Sequence, residues 1–182
     1  MLYPNLIPDS VGLYDGGLEC RFKSEQCVFF WRLSHDGLFF ELRTADELLA
    51  GQDTGDFDPA SRVHEIAEVL ATFPDLYRRL GYSESAKLDL AFKWKGAKGR
   101  FVASWDSPLS SVIARKANRR IAIEAPSCSV QLPVATRPKD VGPFVVRAVT
   151  ALFANSVADW QPENHWVLEL VSSLVDRRPR TG

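Results

Sequence analysis

Between Arg62 and Tyr82 the chain reads RVHEIAEVLATFPDLYRRLGY, and this stretch limits the fold more than any other. Val63, Ile66, Val69, Leu70, Phe73, Leu76, Tyr77 and Leu80 recur at steps of three and four, which places them on one stripe of a helix. Asp58-Pro59 supplies an N-cap followed by proline at the first helical position. Gly81 is the expected stop. Pro74 should bend the helix or restart it at Asp75. A helix with one apolar stripe needs a partner to cover it, and segments with strand-like alternation lie on both sides in sequence. The expectation is an α+β fold.

The hairpin signal before the helix is equally direct. Cys27 to Ser34 is rich in Phe, Val and Trp, His35-Asp36-Gly37 supplies the turn, and Leu38 to Arg43 returns antiparallel. Alternation puts Phe29, Trp31 and Leu33 on one face and Val28, Phe30 and Arg32 on the other. Aromatic residues on both faces predict strands covered on both sides, or one face reserved for a partner. Residues 1–17 hold two prolines and Gly16-Gly17 without a sustained period, which predicts a surface arm. Tyr3, Leu6 and Ile7 make that arm too apolar to hang free.

After the hairpin, Thr44 to Leu49 reads as a short helix with a capping box. GQDTGDFD, from Gly51 to Asp58, is an acidic loop without the spacing of a calcium site. Lys87 to Lys95 alternates, with Leu88, Leu90, Phe92 and Trp94 on one side. Gly96-Ala97-Lys98-Gly99 is the expected turn into a return strand from Arg100 to Trp105, and Arg119 to Glu124 with Ser127 to Leu132 form an expected second pair. Pro108 to Asn118 reads as a short helix or a loop. Asp140 to Asn155 is a helix so apolar that it should be buried on more than one side, and a last helix opens at Gln161-Pro162. Together these predict one domain over residues 1–182, with an arm at 1–17 and a basic tail at 177–182. Its core would be a mostly antiparallel sheet of about five to seven strands, covered by the central helix and two C-terminal helices.

No constellation for chemistry is visible. The histidines, His35, His64 and His165, stand apart from one another and from other ligand types. No G-x-S-x-G occurs, and the Gly96–Gly99 turn is too short for a phosphate loop. No metal site, cofactor or catalytic residue is therefore expected. The odd total of cysteines, Cys20, Cys27 and Cys128, excludes a disulfide scaffold. There is no apolar run of about 18 residues, and MLYPNLIPDS has no leader pattern, so a cytoplasmic protein without a membrane partner is expected.

Charge is distributed unevenly. Residues 1–75 carry 14 acids and 5 bases, whereas residues 76–182 carry 9 acids and 17 bases. Lys93, Lys95, Lys98, Arg100, Arg115, Lys116, Arg119 and Arg120 face a single acid, Asp106, in their stretch, with Trp94, Phe101 and Trp105 among them. Cations interleaved with rings suit single-stranded nucleic acid, and an acidic protein partner accounts for the same charges.

FFWRLSHDGLFFELRTADEL, DFDPASRVHEIAEVLATFPDLYRRLGY, LDLAFKWKGAKGRFVAS and PFVVRAVTALFANS, in this order, resemble the C-terminal accessory region of bacterial Schlafen/Alba-type ATP-binding proteins. The likeness spans residues 20–175 and rests on patterns such as R-L-x-x-D-G-x-F and K-G-x-x-G-R. The nucleotide- or nucleic-acid-binding part of that family has no counterpart here, so no ATP-contacting residue carries over. The resemblance implies a sensing or docking role within a larger assembly. The chain thus reads as a non-catalytic interaction or regulatory module, a homodimer or a subunit, with contacts at Tyr3, Leu6, Ile7, Phe30 and Phe40. The alternative is a nucleic-acid-binding module using Lys93, Lys95, Lys98, Arg100, Arg115 and Arg119.

Overall fold

In the computed structural model, the side chain of Asp58 accepts hydrogen bonds from the backbone N–H groups of Ala60 (3.2 Å) and Ser61 (3.1 Å) and from the Ser61 hydroxyl (2.7 Å). Capped in this way, helix α1 runs from Pro59 to Arg79. Gly81, at φ +89°, reverses the chain. Its N–H donates to the Arg78 carbonyl and that of Tyr82 to the Tyr77 carbonyl, so the orphaned carbonyls of the last turn are satisfied. The helix continues through Pro74 without restarting, and Pro74 itself is buried. Packing on that side outweighs the one ladder hydrogen bond the proline cannot make. Replacing Asp58 with alanine should cost about 1–2 kcal/mol, read as a fall in unfolding free energy by urea titration with an unchanged m-value.

The structure describes residues 10–14, 17–23, 28–43, 56–103 and 108–176. The chain divides into two compact units, residues 1–54 and 55–182.

The first unit is a four-stranded antiparallel sheet in sequence order: β1 (Ser10–Tyr14), β2 (Gly17–Lys23), β3 (Val28–Ser34) and β4 (Phe39–Arg43). The Asp-Gly turn between β3 and β4 forms as expected, with Gly37 at φ +84°. The Asp36 carboxylate takes the Ser34 hydroxyl and the Leu38 N–H. These donors, the hydroxyl first, hold the Asp36 carboxyl below its ordinary range. Its contribution to the hairpin is therefore complete above the unfolded aspartate pKa of about 3.9 and lost as pH falls through the lower folded value. NMR shifts of Ser34 and Leu38 should follow that acid titration and become insensitive to it in Asp36→Asn. The last residues of the expected arm, Ser10–Tyr14, are instead an edge strand paired with β2. A Cβ on Gly17 would lie 2.8 Å from the Leu33 carbonyl oxygen, so the backbones at the start of β2 approach more closely than any other residue allows.

The second unit packs α1 against α3 (Gly142–Ser156) and α4 (Asn164–Asp176), and α3 against β6 (Ser127–Pro133). Val63, Ile66 and Leu70 of α1, Val145, Val149, Leu152 and Phe153 of α3, and Leu132 of β6 are wholly buried. Each such side chain stabilises the fold by about 1.5–3 kcal/mol. Helix α3 is covered on several sides, as its uniform apolarity predicts. Cys128 is buried with its thiol pushed up to about 12, and both it and Cys20 are free thiols.

The expected single sheet of five to seven strands is corrected: the described residues form a four-stranded and a two-stranded sheet. Strand β5 (Lys87–Lys93) pairs with β6, not with a return strand from Arg100. Gly96 and Gly99, at φ +70° and +82°, swing the chain out of the ladder. Phe101 then makes only isolated bridges, to Asp56 and Arg120. The expected strand Arg119–Glu124 ends as soon as it starts, because the Ala122 N–H donates to the Ser156 carbonyl at the end of α3. Between these two short pairings lies α2, Pro108–Lys116, which settles the helix-or-loop alternative. Asn118, at φ +49°, ends it with the same hydrogen-bond pattern that Gly81 gives α1.

Candidate interaction surfaces

Strand register decides what the first unit presents. Arg21 stands opposite Phe30, Phe30 opposite Leu42, and Arg32 opposite both Glu19 and Phe40, so these six residues share one face. Glu19 is 7% exposed, held by Arg21 at 3.1 Å and Arg32 at 3.7 Å. The Arg21 guanidinium also lies 5.6 Å from the Phe30 ring centre. Phe30 and Phe40 come together with ring centres 6.0 Å apart. Phe30 is half-buried, but Phe40 and Leu42 are 53% and 50% exposed. The opposite face carries Cys20, Trp31, Leu33 and Phe39, with Trp31 stacked on Phe39 at 6.1 Å. Of the expected interaction residues, the structure thus joins Phe30 and Phe40 on one face and adds Leu42, which the Phe40 alternation also marks. Tyr3, Leu6 and Ile7 lie outside the described residues.

The expected nucleic-acid residues divide into two sets. Lys93, Lys95 and Lys98 are exposed. The arginines are engaged with the protein itself. Arg100 donates to the carbonyls of Gly96 (3.1 Å) and Asp56 (3.3 Å). Arg115 lies 3.7 Å from the buried Asp56 carboxylate and 4.5 Å from the Phe101 ring centre. Arg120 approaches the same ring to 3.8 Å and donates to the Gly99 carbonyl at 3.0 Å. The Arg119 guanidinium sits 5.8 Å from the Trp160 ring centre. Arginine planes suit ring faces and carbonyl clusters, and here they brace the irregular segment between β5 and β6.

A buried ionic group escaped the sequence reading. Arg62, 1% exposed, pairs with Glu65 at 3.1 Å one turn along α1. Trp94 Nε1 donates to Glu65 Oε2 at 2.8 Å. The Arg62 guanidinium lies 5.1 Å from the Phe57 ring centre and 5.8 Å from that of Trp94, whose rings meet edge to face. Trp94 does follow the inward face of its strand, as expected. Its indole N–H then needs an acceptor, and this is the signal that points to a buried carboxylate.

The histidines do not converge. His35, His64 and His165 are all exposed, and His165 lies 3.2 Å from Glu163. Among the described residues no group of three His, Cys, Asp or Glu side chains is placed to hold a metal. An open depression of 410 Å³ is lined by Ala154, Val157, Asp159, Trp160 and Gln161. Among the described residues no helix is long and apolar enough to cross a membrane. No family model, curated protein or solved structure matches the chain.

Proposed function

We propose that the protein is a non-catalytic interaction module of the bacterial cytoplasm that associates through the Phe30–Phe40–Leu42 face of its first unit with a second copy of itself, as part of a larger assembly. The observation that carries this reading is the exposure of Phe40 and Leu42 beside the Phe30 ring, on a face whose other half is an ion-pair cluster. A two-fold axis near Phe40 would set ring against ring and leave Arg21, Arg32 and Glu19 on the rim, the usual division of an isologous interface. A docking role is also what the resemblance to the Schlafen/Alba-type accessory region implies. Sedimentation velocity across a concentration series tests it: a reversible monomer–dimer equilibrium is expected, and a single monomeric species at every concentration overturns it.

The nucleic-acid reading is supported by the exposed Lys93, Lys95 and Lys98. It predicts low-salt binding of a single-stranded oligonucleotide that Lys95→Glu weakens, with a negative dependence on salt. Engagement of Arg100, Arg115 and Arg119 within the fold leaves it fewer cations than the sequence offers.

A further inference from the structure

Helix α2 bears its own apolar face, in the second unit and independent of the sheet. Leu109, Val112 and Ile113 follow the i, i+3, i+4 spacing and are 73%, 48% and 52% exposed, while Ala114 on the other side is 1% exposed and packs with Phe101 and Ala103. Lys116 continues the outward face one turn on and is exposed. Among its described side chains the helix therefore buries a small one, Ala114, and shows its large ones, the reverse of a helix that serves only the core.

The charge around it indicates what covers it. Arg115 and Arg120, though both reach the Phe101 ring and so lie together at the C-terminal end of α2, keep exposed side chains, and Lys116 is exposed without any such engagement among the described residues. Asp56, 3% exposed, faces Arg115 from inside. An apolar ridge ending in cations matches an amphipathic helix with apolar residues at the same spacing and carboxylates at one end. We infer that the exposed face of α2 docks an acidic amphipathic helix of a partner protein. Nucleic acid fits less well, since three aliphatic side chains stand where stacking rings or phosphate donors would be needed.

The inference rests on the general reading of the chain as an interaction module but uses a different surface, so the two can fail separately. The probe is a synthetic helical peptide with leucines at i, i+3, i+4 and i+7 and glutamates toward one end, followed by fluorescence anisotropy on the full chain. Saturable binding is expected, weakened about tenfold or more by Val112→Asp with Ile113→Asp, and severalfold by Lys116→Glu or by raised salt. Circular dichroism melts check that the variants fold. Lys116→Glu, at an exposed site, serves if the double variant does not. Phe40→Asp should leave peptide binding unchanged. No binding of the peptide, equal binding of the same peptide with lysines in place of glutamates, or displacement by a single-stranded oligonucleotide insensitive to the Val112 and Ile113 changes would overturn the inference.

Discussion

Arg62→Ala is expected to lower the unfolding free energy of the second unit by about 3–5 kcal/mol, enough to unfold much of a marginally stable domain. The change strips the Glu65 carboxylate of the guanidinium 3.1 Å away and leaves it 6% exposed, with the Trp94 N–H as a hydrogen-bond donor. It also opens a space between the Phe57 and Trp94 rings that the guanidinium fills. A buried pair is not stabilising merely by existing, because both ions are desolvated to form it. Joint replacement by apolar residues of similar volume, Arg62→Met with Glu65→Leu, should therefore recover most of the loss, provided Trp94→Phe removes the indole donor as well. Urea titrations of the single, double and triple variants give the coupling between these sites. Additive losses, with no recovery in the combined variants, would show that the group contributes no more than separate packing.

Phe40→Asp with Leu42→Asp should leave the protein monomeric at concentrations where the unaltered chain self-associates. Both side chains are half or more exposed, so removing them takes little from the fold, whereas a two-fold contact centred on them would lose its desolvated core and gain opposed carboxylates. The expected result in sedimentation velocity is a shift of the association midpoint by at least about a hundredfold, about 2.8 kcal/mol by the relation of 1.4 kcal/mol per decade. Thr136→Asp, at a position 9% exposed in the second unit, would not distinguish folding from contact; Leu13→Ser, 87% exposed on the opposite face of the sheet, is the informative control and should leave association unchanged. Equal loss of association in Leu13→Ser would place the contact elsewhere.

Much of this architecture is legible in the residues, for local reasons. The α1 stripe and its two caps are set by spacing and by Asp58 and Gly81, and the β3–β4 hairpin by Asp36-Gly37. Once the hairpin register is known, Phe30 and Phe40 must share a face. What fails is pairing at a distance. Strand β5 has a convincing neighbour in sequence, yet two glycines at positive φ turn the chain away and the true partner, β6, follows a helix and two bridges. Ser10–Tyr14 is missed because a short edge strand with one internal glycine leaves no period to read. Arg62 is missed because a charge beside a helix stripe is ordinarily at the surface, and only the indole of Trp94, far along the chain, gives a reason for it to be inside. The basic stretch is legible as composition, but the ring and carbonyl partners that absorb its arginines are tertiary.

The two sheets differ in when a growing chain can complete them. Every strand of the first joins its immediate predecessor, so that meander can close as soon as Arg43 has been synthesised. The β5–β6 ribbon has to wait for Pro133, and its helical cover for α4. During that interval α1, with Ile66 and Leu70, lacks the α3 and α4 surfaces it packs against, which makes the half-made second unit the stage at which chaperone capture or aggregation would begin.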